Sequence, residues 1–353
     1  MTQAQARTLS DISRRRFLRR FGAVAAASII IPQALSSSRA RAANEKPIIL
    51  GAGRHTYEWI RGWAKLPASM RFGNTHGAVV IDAQGRVLMN TDTENAVMIF
   101  DPDGKFIKAW GKEWKGGAHG MALHKEGRTE YVYLTHHSRH QFAKFTLDGE
   151  VVWVKGFPEQ SGVYQKADEF KPTGIAFAPN GDFYVTDGYG KSWVHHYNAK
   201  AEYVRSWGGP AGSEPGKLKQ PHGIWVDTRD RTPKVLVADR QNHRLQWFGL
   251  DGQPLGLMDK DLRLPSNFHQ RGTDLVIADL AGRVTILDKN NKVVAHLGDN
   301  PDPEKRGKNP IPPEQWKDGE FISPHCPRWD AQGNLYVLEW LSEGRITKLK
   351  RVG

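Results

Sequence analysis

Short β-branched and aromatic runs punctuated by polar, glycine-bearing turns recur along most of the chain, and residues 220–252 show the unit most clearly. That stretch holds Ile224-Trp225-Val226, Val235-Leu236-Val237 and Leu245-Gln246-Trp247-Phe248, the pattern of a strand meander. Strands this short cannot bury a face alone, so copies must stack around an axis to form a core.

The copies can be counted. Openings like Pro221-His222-Gly223-Ile224 recur at Thr75-His76-Gly77-Ala78, Ala118-His119-Gly120-Met121, Pro172-Thr173-Gly174-Ile175 and Pro324-His325-Cys326-Pro327, with a degenerate copy at Pro265-Ser266-Asn267-Phe268. A second-strand signature recurs at 87–92, 131–136, 183–188, 235–240, 275–280 and 335–340. Six units follow. Five have a fourth-strand candidate, ending at Gly111, Gly156, Gly208, Leu257 and Gly298, while the sixth runs out at Gly353. Residues 57–63 are the expected missing strand, so that the N-terminal segment closes the ring and removes the open sheet edges. The Pro-x-Gly-Ile opening, the Val-Ala-Asp-Arg-Gln-Asn-x-Arg centre and the Phe-x-x-Asp-Gly close of residues 220–252 resemble the NHL repeat. The expected fold is all-β, a six-bladed β-propeller of NHL-type repeats over residues 43–353. Residues 44–53 read as a lead-in to the closing strand, and residues 299–321, longer than ordinary connections, read as a lid or a flexible excursion.

The first 42 residues read as a targeting segment. Ser13-Arg14-Arg15-Arg16-Phe17-Leu18-Arg19 matches the twin-arginine export pattern, residues 21–35 are modestly apolar, and Ala40-Arg41-Ala42 is a small-x-small cleavage site. Export to the periplasm by the twin-arginine translocase is the expectation. The formal net charge is +12, of which Arg7, Arg14, Arg15, Arg16, Arg19, Arg20, Arg39 and Arg41 against Asp11 supply +7, leaving +5 for the mature chain. With so mild a balance and no basic cluster interleaved with aromatics, nucleic acid is not an expected partner. No apolar run approaches membrane-spanning length. The single cysteine, Cys326, excludes an intramolecular disulfide. A monomer is expected.

Chemistry concentrates at the position before the opening glycine, which the repeat leaves free to face the axis. Four of the six openings place histidine there, His76, His119, His222 and His325, although the chain has only 14 histidines. The second, fourth and sixth units carry His119, His222 and His325, a third of a turn apart, which suits an open three-imidazole zinc site. His76 lacks that spacing and reads as an outer-shell or substrate-facing residue.

The trio, together with Asp187-Gly188-Tyr189 and the segment 237–244, resembles the catalytic domain of peptidyl-α-hydroxyglycine α-amidating lyase over roughly residues 70–350. The resemblance implies zinc on His119, His222 and His325, a base at Tyr189, a carboxylate-binding arginine at Arg240, and release of glyoxylate from a hydroxyglycine. The family's acidic residue after the third metal histidine, associated with calcium, is Cys326 here, a poor calcium ligand. The family's second active-site arginine has no counterpart in Met89-Asn90-Thr91-Asp92. The expected substrate is a small or peptidic molecule bearing a hydroxyl and a carboxylate.

Asp92, His136, His137, Asp239, Glu339 and Trp340 end second strands and are expected at the same mouth, with His136-His137 a possible proton-exchanging pair. Asp82, Asp101, Asp227 and Asp330 recur in turns and read as turn formers. Two other functions stay open: a non-catalytic propeller binding a protein, peptide or glycan, and a lactonase- or sugar-dehydrogenase-like enzyme. Calcium lactonases use carboxylate and amide ligands on the axis, unlike the imidazoles here.

Overall fold

A computed structural model describes residues 46–353. The targeting segment expected over residues 1–42 lies outside them. Six antiparallel sheets follow one another in sequence, each ordered from the axis outward. Blade 1 comprises Val79–Ile81, Val87–Asn90, Val97–Phe100 and Phe106–Trp110; blade 2 comprises Ala118–Glu126, Thr129–His136, Gln141–Thr146 and Val151–Lys155. Blade 3 is Gly174–Phe177, Phe183–Thr186, Val194–Tyr197 and Tyr203–Trp207, and blade 4 is Pro221–Asp227, Lys234–Asp239, Arg244–Phe248 and Pro254–Met258. Blade 5 is Pro265–Arg271, Asp274–Asp279, Arg283–Leu287 and Val293–Leu297.

Blade 6 closes the ring with sequence from both ends. Its inner strands are Pro324–Trp329, Leu335–Glu339 and Arg345–Arg351, and the fourth is His55–Ile60, paired antiparallel with Arg345–Arg351 through Tyr57 opposite Arg351 and Ile60 opposite Lys348. The closing strand thus starts and ends earlier than residues 57–63. Trp63 instead folds inward against Phe100 and Tyr336. The segment read as a lead-in is a fifth strand, Ile49–Ala52, hairpinned onto His55–Ile60 through a tight turn in which Gly53 adopts positive φ.

The core lies between blades. Strictly buried strands such as Val97–Phe100 and Arg244–Phe248 pack aromatic and aliphatic side chains against the adjacent blade. One layer joins Tyr133 and Phe142 of blade 2 to Phe183 and Tyr197 of blade 3. Another joins Tyr184 and Val194 of blade 3 to Ile224 and Phe248 of blade 4. The turn aspartates do what their spacing predicts: Asp82, Asp101, Asp227 and Asp330 each accept backbone N–H groups two or four residues on.

Residues 299–321 are not a free excursion. Asn300 Nδ2 donates to Phe321 O at 2.9 Å, and Arg306 Nε donates to Asn300 O at 2.7 Å. Asp318 accepts both Trp59 Nε1 (3.1 Å) and Arg61 Nε (2.9 Å), and Asn309 bonds Asn74 and Ser342. The connection is long because it straps the closing strand to the loops of blades 1 and 6.

Candidate metal centre at the channel mouth

The inner strands of blades 2, 4, 5 and 6 all begin with a register shift, between Ala118 and Met121, Pro221 and Ile224, Pro265 and Asn267, and Pro324 and Cys326. A bulge re-aims the side chain that it releases from the ladder, and here that residue is His119, His222 or His325 on three of the four blades. On blades 2 and 4 the glycine after it serves close approach. A Cβ on Gly120 would stand 2.5 Å from Thr173 O, and one on Gly223 would stand 2.3 Å from Ser266 O.

Those same carbonyls orient the rings. His119 Nδ1 lies 2.6 Å from Thr173 O, His222 Nδ1 3.0 Å from Ser266 O, and His325 Nδ1 2.6 Å from Gly77 O. Each histidine of an even blade therefore donates to the next odd blade, so its proton sits on Nδ1 and its Nε2 lone pair faces inward. The three ring centroids are 4.7 to 5.0 Å apart, close to equilateral. All three rings are buried. Burial holds His119 and His222 well below the ordinary 6.5 and His325 at about 3, with neighbouring imidazoles or Arg240 adding to the effect. They are neutral at physiological pH.

His76 joins the cluster despite its odd-blade position. A ring nitrogen from each of His76, His119, His222 and His325 lies within 4.8 Å of the others, a spacing that one metal ion could bridge. Adjacent blades both reach the axis at this mouth, so alternate spacing does not exclude His76. It differs from the trio in being less buried, and its Nε2 meets a hydroxyl: Tyr189 Oη is 3.0 Å away.

Tyr189 reaches the centre because Gly188 lets the chain pass Pro221 O, which a Cβ there would approach to 2.2 Å. Its hydroxyl lies 2.9 Å from His222 Nε2 and 3.2 Å from His119 Nε2, and Arg240 Nη2 is 3.4 Å from it. One phenol carries one proton, so it cannot satisfy three lone pairs. His325 Nε2 is buried with no hydrogen-bond partner at all. A surplus of buried acceptors without donors is costly to the empty protein and fits a divalent cation of the zinc class, for which imidazole nitrogen is a preferred ligand.

Calcium does not fit near Cys326. That thiol is buried, and among the described residues its sulfur bonds the carbonyls of Val79 and Pro327 at 3.8 and 3.9 Å, so it supplies sulfur where calcium requires oxygen.

The groups at second-strand ends divide by position. Asp92, His136, Asp239 and Glu339 do not project into the mouth. Each receives a backbone N–H of a nearby loop: Asp92 from Asn74, His136 from Arg139, Asp239 from Lys219 and Glu339 from Ile322. Asp187 and Asp279 do the same for Lys171 and Arg263. In all but blade 2 the braced loop leads into that blade's own inner strand. His136 belongs to this set, its Nε2 donating to Lys115 O at 3.3 Å, so it does not form a relay with His137.

The residue after the brace turns to the mouth instead. His137 faces His76 and His119 at 6.0 Å and Tyr189 at 5.6 Å, and Trp340 faces His76 at 5.3 Å between ring centroids. Arg240 occupies the same step on blade 4, bonded to Gln220 Oε1 at 3.0 Å and placed 5.5 Å from the Tyr189 ring. Arg244, not Arg240, pairs with Asp239, at 2.7 Å. Among the described residues no carboxylate pairs with Arg240, which leaves a guanidinium beside the histidine cluster to receive an anion.

An NHL repeat model matches residues 171–197, the entry to blade 3 and its first three strands. The chain is 28% identical over 204 residues to NHL repeat-containing protein 3 of Homo sapiens, covering 55% of this chain and 57% of that protein. It is 28% identical over 284 residues to peptidyl-alpha-hydroxyglycine alpha-amidating lyase 1 of Drosophila melanogaster, covering 72% of this chain and 48% of that protein. The chain therefore spans about half the length of these relatives. A solved streptogramin B lyase shares the fold, with TM-score 0.54 and 15% identity over 80% of this chain and 96% of its own. The chain is a six-bladed β-propeller with an NHL repeat, related to proteins named for that repeat and to amidating lyases.

Proposed function

We propose that the protein is an exported, metal-dependent lyase acting on a small hydroxylated carboxylate of the peptidyl-hydroxyglycine kind at this mouth. The observation that carries the reading is the set of three Nε2 lone pairs, fixed by three backbone carbonyls, that converge beside Tyr189 and Arg240. His119, His222 and His325 would hold the zinc. Bound there, zinc acts as a Lewis acid that lowers the pKa of a substrate hydroxyl. Arg240 receives the substrate carboxylate by a two-point hydrogen bond. Tyr189 Oη takes the α-hydroxyl proton while its own proton passes to His76 Nε2, at 3.0 Å. As that proton leaves, the carbon–oxygen bond becomes a carbonyl and the carbon–nitrogen bond breaks. The departing amide nitrogen recovers the proton, giving an amide and glyoxylate.

Burial raises the Tyr189 pKa above 10, and Arg240 opposes that shift. The phenol therefore rests protonated and acts as a relay. Twin-arginine export of a folded protein suits a centre assembled before transport. The test is glyoxylate release from an α-hydroxyhippurate-type substrate by the zinc-loaded chain, compared with Tyr189→Phe. Zinc without glyoxylate rejects this reaction and leaves metal chemistry on another hydroxylated substrate. Neither zinc nor glyoxylate favours a binding propeller.

A further inference from the structure

One residue below the ring of histidines, the inner strands enclose a second chamber of about 320 Å³. Its wall begins at Gly120, Gly174 and Cys326, the residues that follow His119, Thr173 and His325. Met121, Ile175 and Phe268 make much of it apolar, whereas Trp225, His269 and Arg328 bring polar hydrogens. The Arg328 guanidinium packs 5.5 Å from the Trp225 ring, and among the described residues it has no ion pair or hydrogen bond. Burial lowers its pKa, and no carboxylate opposes the shift. Trp225 Nε1 is buried without an acceptor. His269 Nδ1 accepts the Trp329 N–H at 3.0 Å and burial keeps the ring neutral, so its proton sits on Nε2 as one more donor. Glu130, the carboxylate on this wall, is engaged by the Ala83 N–H at 3.1 Å.

A cavity with a guanidinium and two N–H donors, none of them paired with the Glu130 carboxylate among the described residues, is complementary to an anion, because buried donors and an uncompensated cation are costly without one. We propose that this lower chamber binds a small organic carboxylate, held by the Arg328 fork and flanked by Trp225 and His269. The planar fork matches a carboxylate in two-point contact, and the apolar side accepts a short hydrocarbon tail. The volume lies at the lower end of small-molecule pockets. The chamber is separate from the histidine centre and does not depend on the lyase reading.

Butyrate is the probe, titrated calorimetrically into the purified full chain at constant ionic strength, with chloride and sulfate as controls. Saturable butyrate binding is expected, weakened at least about tenfold in Arg328→Gln, with metal content unchanged. His222→Ala, which disrupts the upper centre, should leave butyrate affinity as it was. Should Arg328→Gln not fold, Arg328→Lys keeps the charge and loses the fork, and binding should still weaken severalfold. Equal butyrate affinity in the Arg328 variants, or no butyrate binding by the parent, overturns the proposal. Chloride or sulfate binding as tightly as butyrate overturns the carboxylate assignment.

Discussion

Tyr189 Oη and His76 Nε2 stand 3.0 Å apart at the centre of the ring, a pair drawn from blades 3 and 1. Once a cation takes the lone pairs of His119, His222 and His325, His76 is the remaining imidazole acceptor for the phenol's one proton. His76→Asn and Tyr189→Phe should each lower kcat by about 10² to 10⁴, with metal content preserved. Steady-state kinetics alongside metal analysis distinguishes this from loss of the site, since a purely structural role would lower both together.

Arg240 is buried beside the phenol and bonded to Gln220. Arg240→Lys should raise KM more than it lowers kcat, because a lysine keeps the charge and loses the two-point contact. Initial-rate kinetics over a substrate series with and without the carboxylate measures this. An equal penalty on both substrates would mean that the side chain only supports the loop.

Gly223 has no room for a side chain: a Cβ would meet Ser266 O at 2.3 Å. Gly223→Ala must displace the carbonyl that fixes His222, so about 1 to 3 kcal/mol of stability should be lost and metal affinity should fall with it. Thermal unfolding and metal titration of the variant check both. Gly256, with nothing near its Cβ position, should tolerate alanine.

Acid should weaken the fold through its buried histidines, although the Asp187 carboxyl, which burial pushes up to about 7, takes up its proton in the folded state over the same window and offsets part of the loss. Burial lowers His195 to about 3, His136 to about 4 and His269 well below 6.5. Between those values and 6.5 the unfolded chain binds protons that the folded chain refuses. Their contribution is therefore whole above pH 6.5 and is lost as pH falls through that window, at up to about 1.4 kcal/mol per pH unit for each histidine. Denaturant unfolding from pH 7.5 to 4.5 should show a falling midpoint, and His195→Gln should flatten it.

The six blades were legible because each repeat carries the same turn and strand chemistry, so the copies align by eye. The histidine position was legible for the same reason. What the sequence hid is direction. Asp239 and Arg240 are neighbours in one motif, yet Asp239 turns back to brace Lys219 while Arg240 enters the mouth, and strand periodicity says nothing about residues beyond a strand's end. His136 and His137 split in the same way. Tyr189 came from resemblance alone, since spacing does not reveal that Gly188 lets the loop approach Pro221 O. The outer strand Ile49–Ala52 leaves little trace in the sequence because a run of four residues is hard to tell from a loop.

The most direct measurement is the metal content of the purified chain and of His325→Ala, by elemental mass spectrometry. His325 carries the one Nε2 in the cluster that is buried without a partner. The account predicts about one zinc per chain in the parent and near-complete loss in the variant. A parent that binds no divalent metal when zinc is supplied, or a variant that keeps it, would contradict the account.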